Sequence, residues 1–244
     1  MDEQKNSLGR MWSLYKIGGL TPAIASMLGS QNAQQMAFIR SVMKEQRKQS
    51  MFETPIAELE FVVFDLETTG FHPSQGDEII SVGAVLVEGT RPRHDRFFYS
   101  LINPKRNIPQ KIIELTGITQ AMANDAPDLL EVLHRFLEFA DKRILIAHGG
   151  GHDRQFLNAA LWKTTRIMLT HRFLDTMMIY RWLHPKESVY DLDALLERYG
   201  IPVSERHHAL EDAKMTAILW EKLMIEVQDR NVHTLGDLYA YLSQ

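Results

Sequence analysis

Asp65 and Glu67 stand two positions apart near the end of FVVFDLETTG, residues 61–70. On an extended segment that spacing sends both carboxylates out of one face, while Phe64 and Leu66 point to the other. The apolar residues ahead of them do not alternate with polar ones, which is the pattern of a strand covered on both faces. The acids therefore border a core, where bare carboxylates are costly unless a cation meets them. Two further acids stand where helices are expected to begin: Asp153, after RILIAH in AHGGGHDRQFL, and Asp212, in HHALEDA. Ligation by several carboxylates suits Mg²⁺ or Mn²⁺ rather than zinc. Two such ions about 4 Å apart can activate a water and stabilise both oxygens of an in-line phosphoryl displacement. Each acid alone is a weak signal, since an Asp near a helix start is commonly a cap or a dipole partner.

Composition narrows the chemistry. The chain has no Cys, which excludes disulfides, thiolate zinc sites and a cysteine nucleophile, so any metal must be held by oxygen or imidazole. A formal net charge of −4 gives no overall basic footprint, so a nucleic acid would have to be engaged locally. With 244 residues, 45% of them hydrophobic and 24% charged, there is room for one domain of catalytic size and a small appendage. The weakly apolar stretch IGGLTPAIASML is broken by Gly-Gly and Thr-Pro, which makes a poor signal-peptide core, and no run approaches a membrane span. The expectation is a cytoplasmic protein without membrane attachment.

The elements that must position the acids read as follows. FVVFDL, EIISVGAVLVEG and RHDRFFYSLINP are three strands joined by short links. APDLLEVLHRFLEFAD has helical spacing, RILIAH is a buried strand, HDRQFLNAALW is a helix, and FLDTMMIYRWL opens with a short strand. DLDALLERYG is a helix stopped at Gly200, HHALEDAKMTAILWEKLMIEV is a long helix, and Thr234 caps a short closing one. The order implies an α/β layer structure with a mixed central sheet. Three regions are expected: a helical extension over residues 1–55, a main domain over 56–228, and a C-terminal helix over 229–244 packed on that domain or on a partner. In the extension, Met36, Ile39, Val42 and Met43 share one helical face, and Arg40, Lys44, Arg47 and Lys48 a neighbouring one. That basic edge could serve a nucleic acid or an acidic partner, or be the solvated side of a helix laid on the main domain.

In this order and context, three stretches resemble the motifs of the DEDD superfamily of 3′-to-5′ exonucleases, which includes the epsilon proofreading subunits of bacterial DNA polymerase III. FDLETTG looks like the first motif, AHGGGHDRQFL like the second and HHALEDA like the third, whose His five residues before the final Asp marks the His-containing branch. LINP, IPQKIIELTGIT and LDALLERYGI are similar to that branch's connecting segments, so the resemblance covers about residues 58–226. It implies a ribonuclease-H-like fold, a five-stranded mixed sheet flanked by helices. It further implies that Asp65, Glu67, Asp153 and Asp212 hold two divalent ions, Mg²⁺ or Mn²⁺, that His207 is the general base, and that Thr68 and Thr69 meet the terminal nucleotide. A His titrates near neutrality and can accept a proton from water. The implied partners are the 3′ ends of single-stranded DNA or RNA and, through the N-terminal helix, a DNA polymerase or another protein.

The second motif departs from the family pattern, with Gly149 in place of Asn and His152 in place of a Phe that usually lines the nucleotide pocket. The three consecutive glycines are expected to loosen this segment. His152 could reach the metals or a phosphate, or be a partly exposed polar replacement in the substrate pocket. Thr69 could equally be a turn former ahead of Gly70. In the third motif, helical geometry alone points to His208, four residues before Asp212, whereas the family spacing points to His207. Asp175 is read as a structural hydrogen-bonding residue, and Met215, Trp220 and Met224 as core. The rival reading is a catalytically weak binding module for nucleic acid or protein, using the same fold as a partner surface.

Overall fold

β1 (Glu60–Thr68) lies in the middle of a five-stranded sheet, where its unbroken apolar run can be covered from both sides. β2 (Ile79–Glu88) pairs with it antiparallel and β4 (Ile144–Ala147) parallel, while β3 (Arg91–Leu101) and β5 (Phe173–Asp175) form the edges, giving the order β3-β2-β1-β4-β5. The computed structural model describes residues 22–46 and 51–243.

The helices are α1 (Pro22–Gln46), α2 (Gln110–Thr116), α3 (Gln120–Asn124), α4 (Leu129–Ala140), α5 (Gly151–Thr165), α6 (Thr176–Leu183), α7 (Leu192–Arg198), α8 (Ala209–Asp229) and α9 (Leu235–Leu242). Alternate residues of β1 enter different cores. Phe61 and Val63 pack with α6, α7, α8 and α9, around the fully buried Trp220; Val62, Phe64 and Leu66 pack with α1, α4 and α5, around Phe136 and Phe156. Met215 and Met224 are buried with Trp220, as read from the sequence. Thr234 and Asp237 close a reciprocal capping box at the start of α9, whose Leu235 and Leu238 are buried.

Two short helices carried no element assignment in the sequence reading. α2 and α3, in IPQKIIELTGIT and the residues after it, are too short to display a helical period, and their Ile112, with Ile108 and Ile118, covers Ile80 in a small third core. The sheet acquires its fifth strand from only three residues, which pair in parallel with β4.

Within the N-terminal extension, α1 lies against α4 and α5. Ile39, Val42 and Met43 are buried, Met36 is half-buried, Phe38 packs edge-on to His134 at 4.6 Å, and Thr170 Oγ1 donates to the Met43 carbonyl. Arg40 and Lys44 remain exposed, and Arg40 also donates to the Thr165 carbonyl. Residues 1–21, together with Arg47 and Lys48 of the expected basic edge, lie outside the described residues. Ile39 is sealed from solvent, so Ile39→Ala is expected to destabilise the protein by about 2–5 kcal/mol, the range for deleting a buried Ile side chain, in a denaturant melt.

Candidate active site

The approach of α8 to the sheet depends on Gly83. This residue is paired with Asp65 in the β1–β2 register, and a Cβ placed there would lie 2.2 Å from the Leu210 amide nitrogen. The missing side chain lets the first turn of α8 press on the sheet beside Asp65, which brings in Asp212, 4% exposed. Gly83→Ala is expected to cost about 1–3 kcal/mol as an overpacking change and to weaken divalent-cation binding as Asp212 withdraws. Thermal melts and a Mn²⁺ titration check the pair of effects.

The segment carrying Asp153 is clamped, which corrects the expectation that three glycines loosen it. The amides of Gly149 and Gly150 each donate to the Asp175 carboxylate at 2.9 Å, and a Cβ at Gly150 would meet the Phe173 ring at 2.4 Å. Gly149 itself holds a φ of +62°, a conformation that suits glycine. The glycines serve a tight turn that β5 holds closed, and Asp175 caps α6 through the Met177 amide as well. His148, from the same motif, bonds Thr176 Oγ1 through Nδ1 and the Tyr190 carbonyl through Nε2, which ties the 184–191 loop to the site floor.

These elements bring the predicted acids together. Asp65, Glu67, Arg206, His207 and Asp212 line one cleft of about 360 Å³, with His148, Tyr190 and Asp191 on its walls. Glu67, His207 and Asp212 each offer a ligand atom, all within 4.8 Å of one another. Asp153, on the first turn of α5, is buried, and its charge acts on Asp65 and Glu67. Burial, followed by repulsion from Asp153, Glu67 and Asp212, holds the Asp65 carboxyl well above the usual range. Burial, followed by Asp212 and Asp153, pushes Glu67 up to about 8. Burial pushes Asp153 up to about 7, against the opposing effect of hydrogen bonds from its own amide and that of Leu66. Arg206 opposes the rise at Asp65 and Glu67.

A divalent cation fits this donor set. The donors are hard carboxylate oxygens beside an imidazole, and Asp212 Oδ1, sealed from solvent, is met by the Arg206 guanidinium. The proton balance gives a test. Glu67 and Asp153 have folded pKa values above their ordinary 4.5 and 3.8, so between these limits the unfolded chain has released protons that the folded protein keeps. Their contribution to stability is therefore greatest below about pH 4 and falls as pH rises toward 8. In chelator, the melting temperature of Glu67→Gln is expected to fall less than that of the unsubstituted protein between pH 5 and 8. Excess Mg²⁺ should flatten the unsubstituted protein's curve.

The substrate-facing candidates divide. Thr68 Oγ1 donates to the Gly70 carbonyl and lies 3.4 Å from His152 Nε2. Thr69 is buried, its hydroxyl donating to Asp77 and accepting from the Glu78 amide, so that group is spent on the turn. The His152 ring sits between Phe156, at 4.7 Å, and Phe71, at 5.8 Å; among the described residues it is not in the possible metal-ligand group. Phe71 is 66% exposed beside it.

The two adjacent histidines separate cleanly. His207 faces the cleft, at a φ of +60°, and its amide donates to Asp212 Oδ2. His208 stacks on Tyr99 at 4.7 Å instead. The helical i,i+4 rule fails for His208 because it is the extended N-cap residue and precedes the first helical turn. Arg206 was missed by sequence reasoning, although it directly precedes His207: its guanidinium pairs with both Asp193 and Asp212. The cost of bare carboxylates is the available signal, and a guanidinium meets it as a metal ion does.

Comparison with known proteins gives the family. Residues 62–220 match the family model described as Exonuclease. The chain is 36% identical over 193 residues to a DNA polymerase III subunit epsilon-like protein of Rhodobacter capsulatus, covering 77% of this chain and 27% of that protein. It is 37% identical over 184 residues to the PolC-type DNA polymerase III of Clostridium perfringens, covering 74% of this chain and 12% of that protein. The chain thus spans about a quarter or less of these curated relatives. Among solved structures, the nuclease domain of 3′hExo, a DEDDh family member, bound to rAMP, superposes with a TM-score of 0.60 at 22% identity over 71% of this chain and 94% of that one. Exonuclease X in complex with 5′ overhanging duplex DNA gives 0.59 at 22% identity over 75% of this chain and 99% of that one. At this identity the likeness is one of fold. No helix among the described residues is long and apolar enough to cross a membrane.

Proposed function

The chain belongs to the exonuclease family that its residues 62–220 match, and from that premise we propose that it is a divalent-metal-dependent 3′-to-5′ exonuclease. Its substrate is a single-stranded nucleic acid end, DNA in preference to RNA. The observation that carries the reading is the convergence of Asp65, Glu67, Asp212 and His207 on one cleft, with Asp153 acting on the same charges. The preference for DNA rests on the polymerase relatives.

Asp65, Glu67, Asp153 and Asp212 would hold two ions, Mg²⁺ or Mn²⁺, which supply charge neutralisation at the phosphate and lower the pKa of water when bound. His207 takes the proton of the attacking water at a ring nitrogen, and its backbone amide keeps the Asp212 carboxylate oriented. Thr68 and His152, close enough to touch, border the terminal nucleotide, and the exposed Phe71 ring offers it a stacking surface. Thr69 acts indirectly, by holding the turn that presents Phe71. The extension would meet a polymerase or other partner through its exposed Arg40 and Lys44, since the apolar face of α1 is covered by the domain.

Purified protein incubated with 5′-labelled single-stranded DNA or RNA tests this. A stepwise ladder in Mg²⁺ or Mn²⁺ that chelator abolishes, faster on DNA, is expected. Silence on every substrate, with the strands still retained in a binding assay, would favour the binding-module reading.

A further inference from the structure

A cation stands directly ahead of the third motif. Arg206 Nε pairs with Asp193 on α7, and Nη1 pairs with Asp212 Oδ1 on α8. Nη1 and Oδ1 are both sealed from solvent and face each other, so the guanidinium and the carboxylate meet as a buried ion pair. The other Asp212 oxygen is taken by the His207 amide. The carboxylate that closes the acid cluster is thus held on one side by the Arg206 side chain and on the other by the backbone of the next residue.

We infer that Arg206 is a tethered counter-ion that competes with a divalent cation for Asp212 Oδ1, swinging out on its Asp193 anchor when the ion binds. The inference rests on the metal-dependent reading above. Its physical basis is that a single carboxylate oxygen facing a guanidinium cannot also present its lone pairs fully to a metal. The guanidinium lies in the cleft and offsets the repulsion that Asp65 and Glu67 feel, so it does in part what the ion would do. Asp193 is exposed and gives the displaced guanidinium a partner in solvent, so exchange does not strand a buried charge. Arg206 would thereby be a positioning residue. Its pairs with Asp193 and Asp212 join the loop that carries His207 to α7 and α8.

Direct Mn²⁺ binding, followed by electron paramagnetic resonance, tests this on the full chain, its Arg206→Gln variant and its Arg206→Lys variant. Competition predicts that Arg206→Gln binds the ion about ten-fold tighter or more, with Arg206→Lys close to the unsubstituted protein. A field effect without contact is separated by NMR of the arginine Nη–H resonances, which report the Nη1 contact with Asp212 while Nε stays on Asp193. The Arg206 signal, identified by its loss in Arg206→Lys, should shift and saturate on Mg²⁺ titration in step with binding. This measurement stands even if Arg206→Gln fails to fold. Equal or weaker Mn²⁺ binding by Arg206→Gln, or an Arg206 signal that Mg²⁺ leaves unmoved, would overturn the inference. Absence of Mn²⁺ binding by the unsubstituted protein would instead sink the metal reading itself, so the two failures are distinguishable.

Discussion

Asp65→Asn is expected to lower hydrolysis by about 10³-fold or more, the scale of losing a main electrostatic contributor at a phosphoryl centre, while raising the melting temperature of the chelated protein. The two effects have one cause. Asp65 is crowded by Asp153, Glu67 and Asp212, and its ionised form is held at a cost that neutral Asn does not carry. Asp212→Asn should lose activity to the same degree but gain no stability, because it removes the carboxylate that Arg206 and the His207 amide both hold. Activity assays paired with thermal melts in chelator separate the two variants. Retained activity with a lowered melting temperature in Asp65→Asn would mean that this acid is structural.

His207→Ala is expected to lower the turnover rate by about 10²-fold or more, the usual scale for losing a positioned base, with little change in Mn²⁺ affinity. His208→Ala should cost far less, since its ring is stacked on Tyr99 and it only opens α8. A His207 ring nitrogen also lies within 4.8 Å of Glu67 and Asp212 oxygens, close enough for the three to share an ion, so binding has to be measured beside rate. A parallel fall in Mn²⁺ affinity would make His207 a ligand instead of a base. A crippled His208 variant would reverse the assignment altogether. Turnover at saturating Mn²⁺ for the two variants decides among these outcomes.

What the sequence disclosed, and what it withheld, follows from the range of the interactions. The unbroken apolar run of β1 reports burial on both faces, because each residue's own hydrophobicity carries that information, and the structure splits the run between two cores. Asp65 and Glu67 leave one face because alternation along a strand is local. The meeting of Asp212 with them is not local: it depends on Gly83, on another strand, making room for α8. The resemblance to family motifs supplied it instead. The glycines of the second motif show the same limit, since their looseness or rigidity is decided by Asp175 and Phe173 on β5, more than twenty residues further along the chain. Likewise, helical spacing chose His208 because the sequence does not mark where the helix starts by its backbone angles. The extended N-cap and the positive φ of His207 turn the first of the pair, not the second, into the cleft.

These carboxylates are expected to form one centre for two divalent ions. Anomalous diffraction from crystals soaked in Mn²⁺ with a 3′-terminal nucleotide measures it directly. Two anomalous peaks about 4 Å apart are expected, within coordination distance of Asp65, Glu67, Asp153 and Asp212, with the nucleotide beside Phe71 and His152. Peaks elsewhere on the surface, or a nucleotide bound with no Mn²⁺ at these acids, would contradict it.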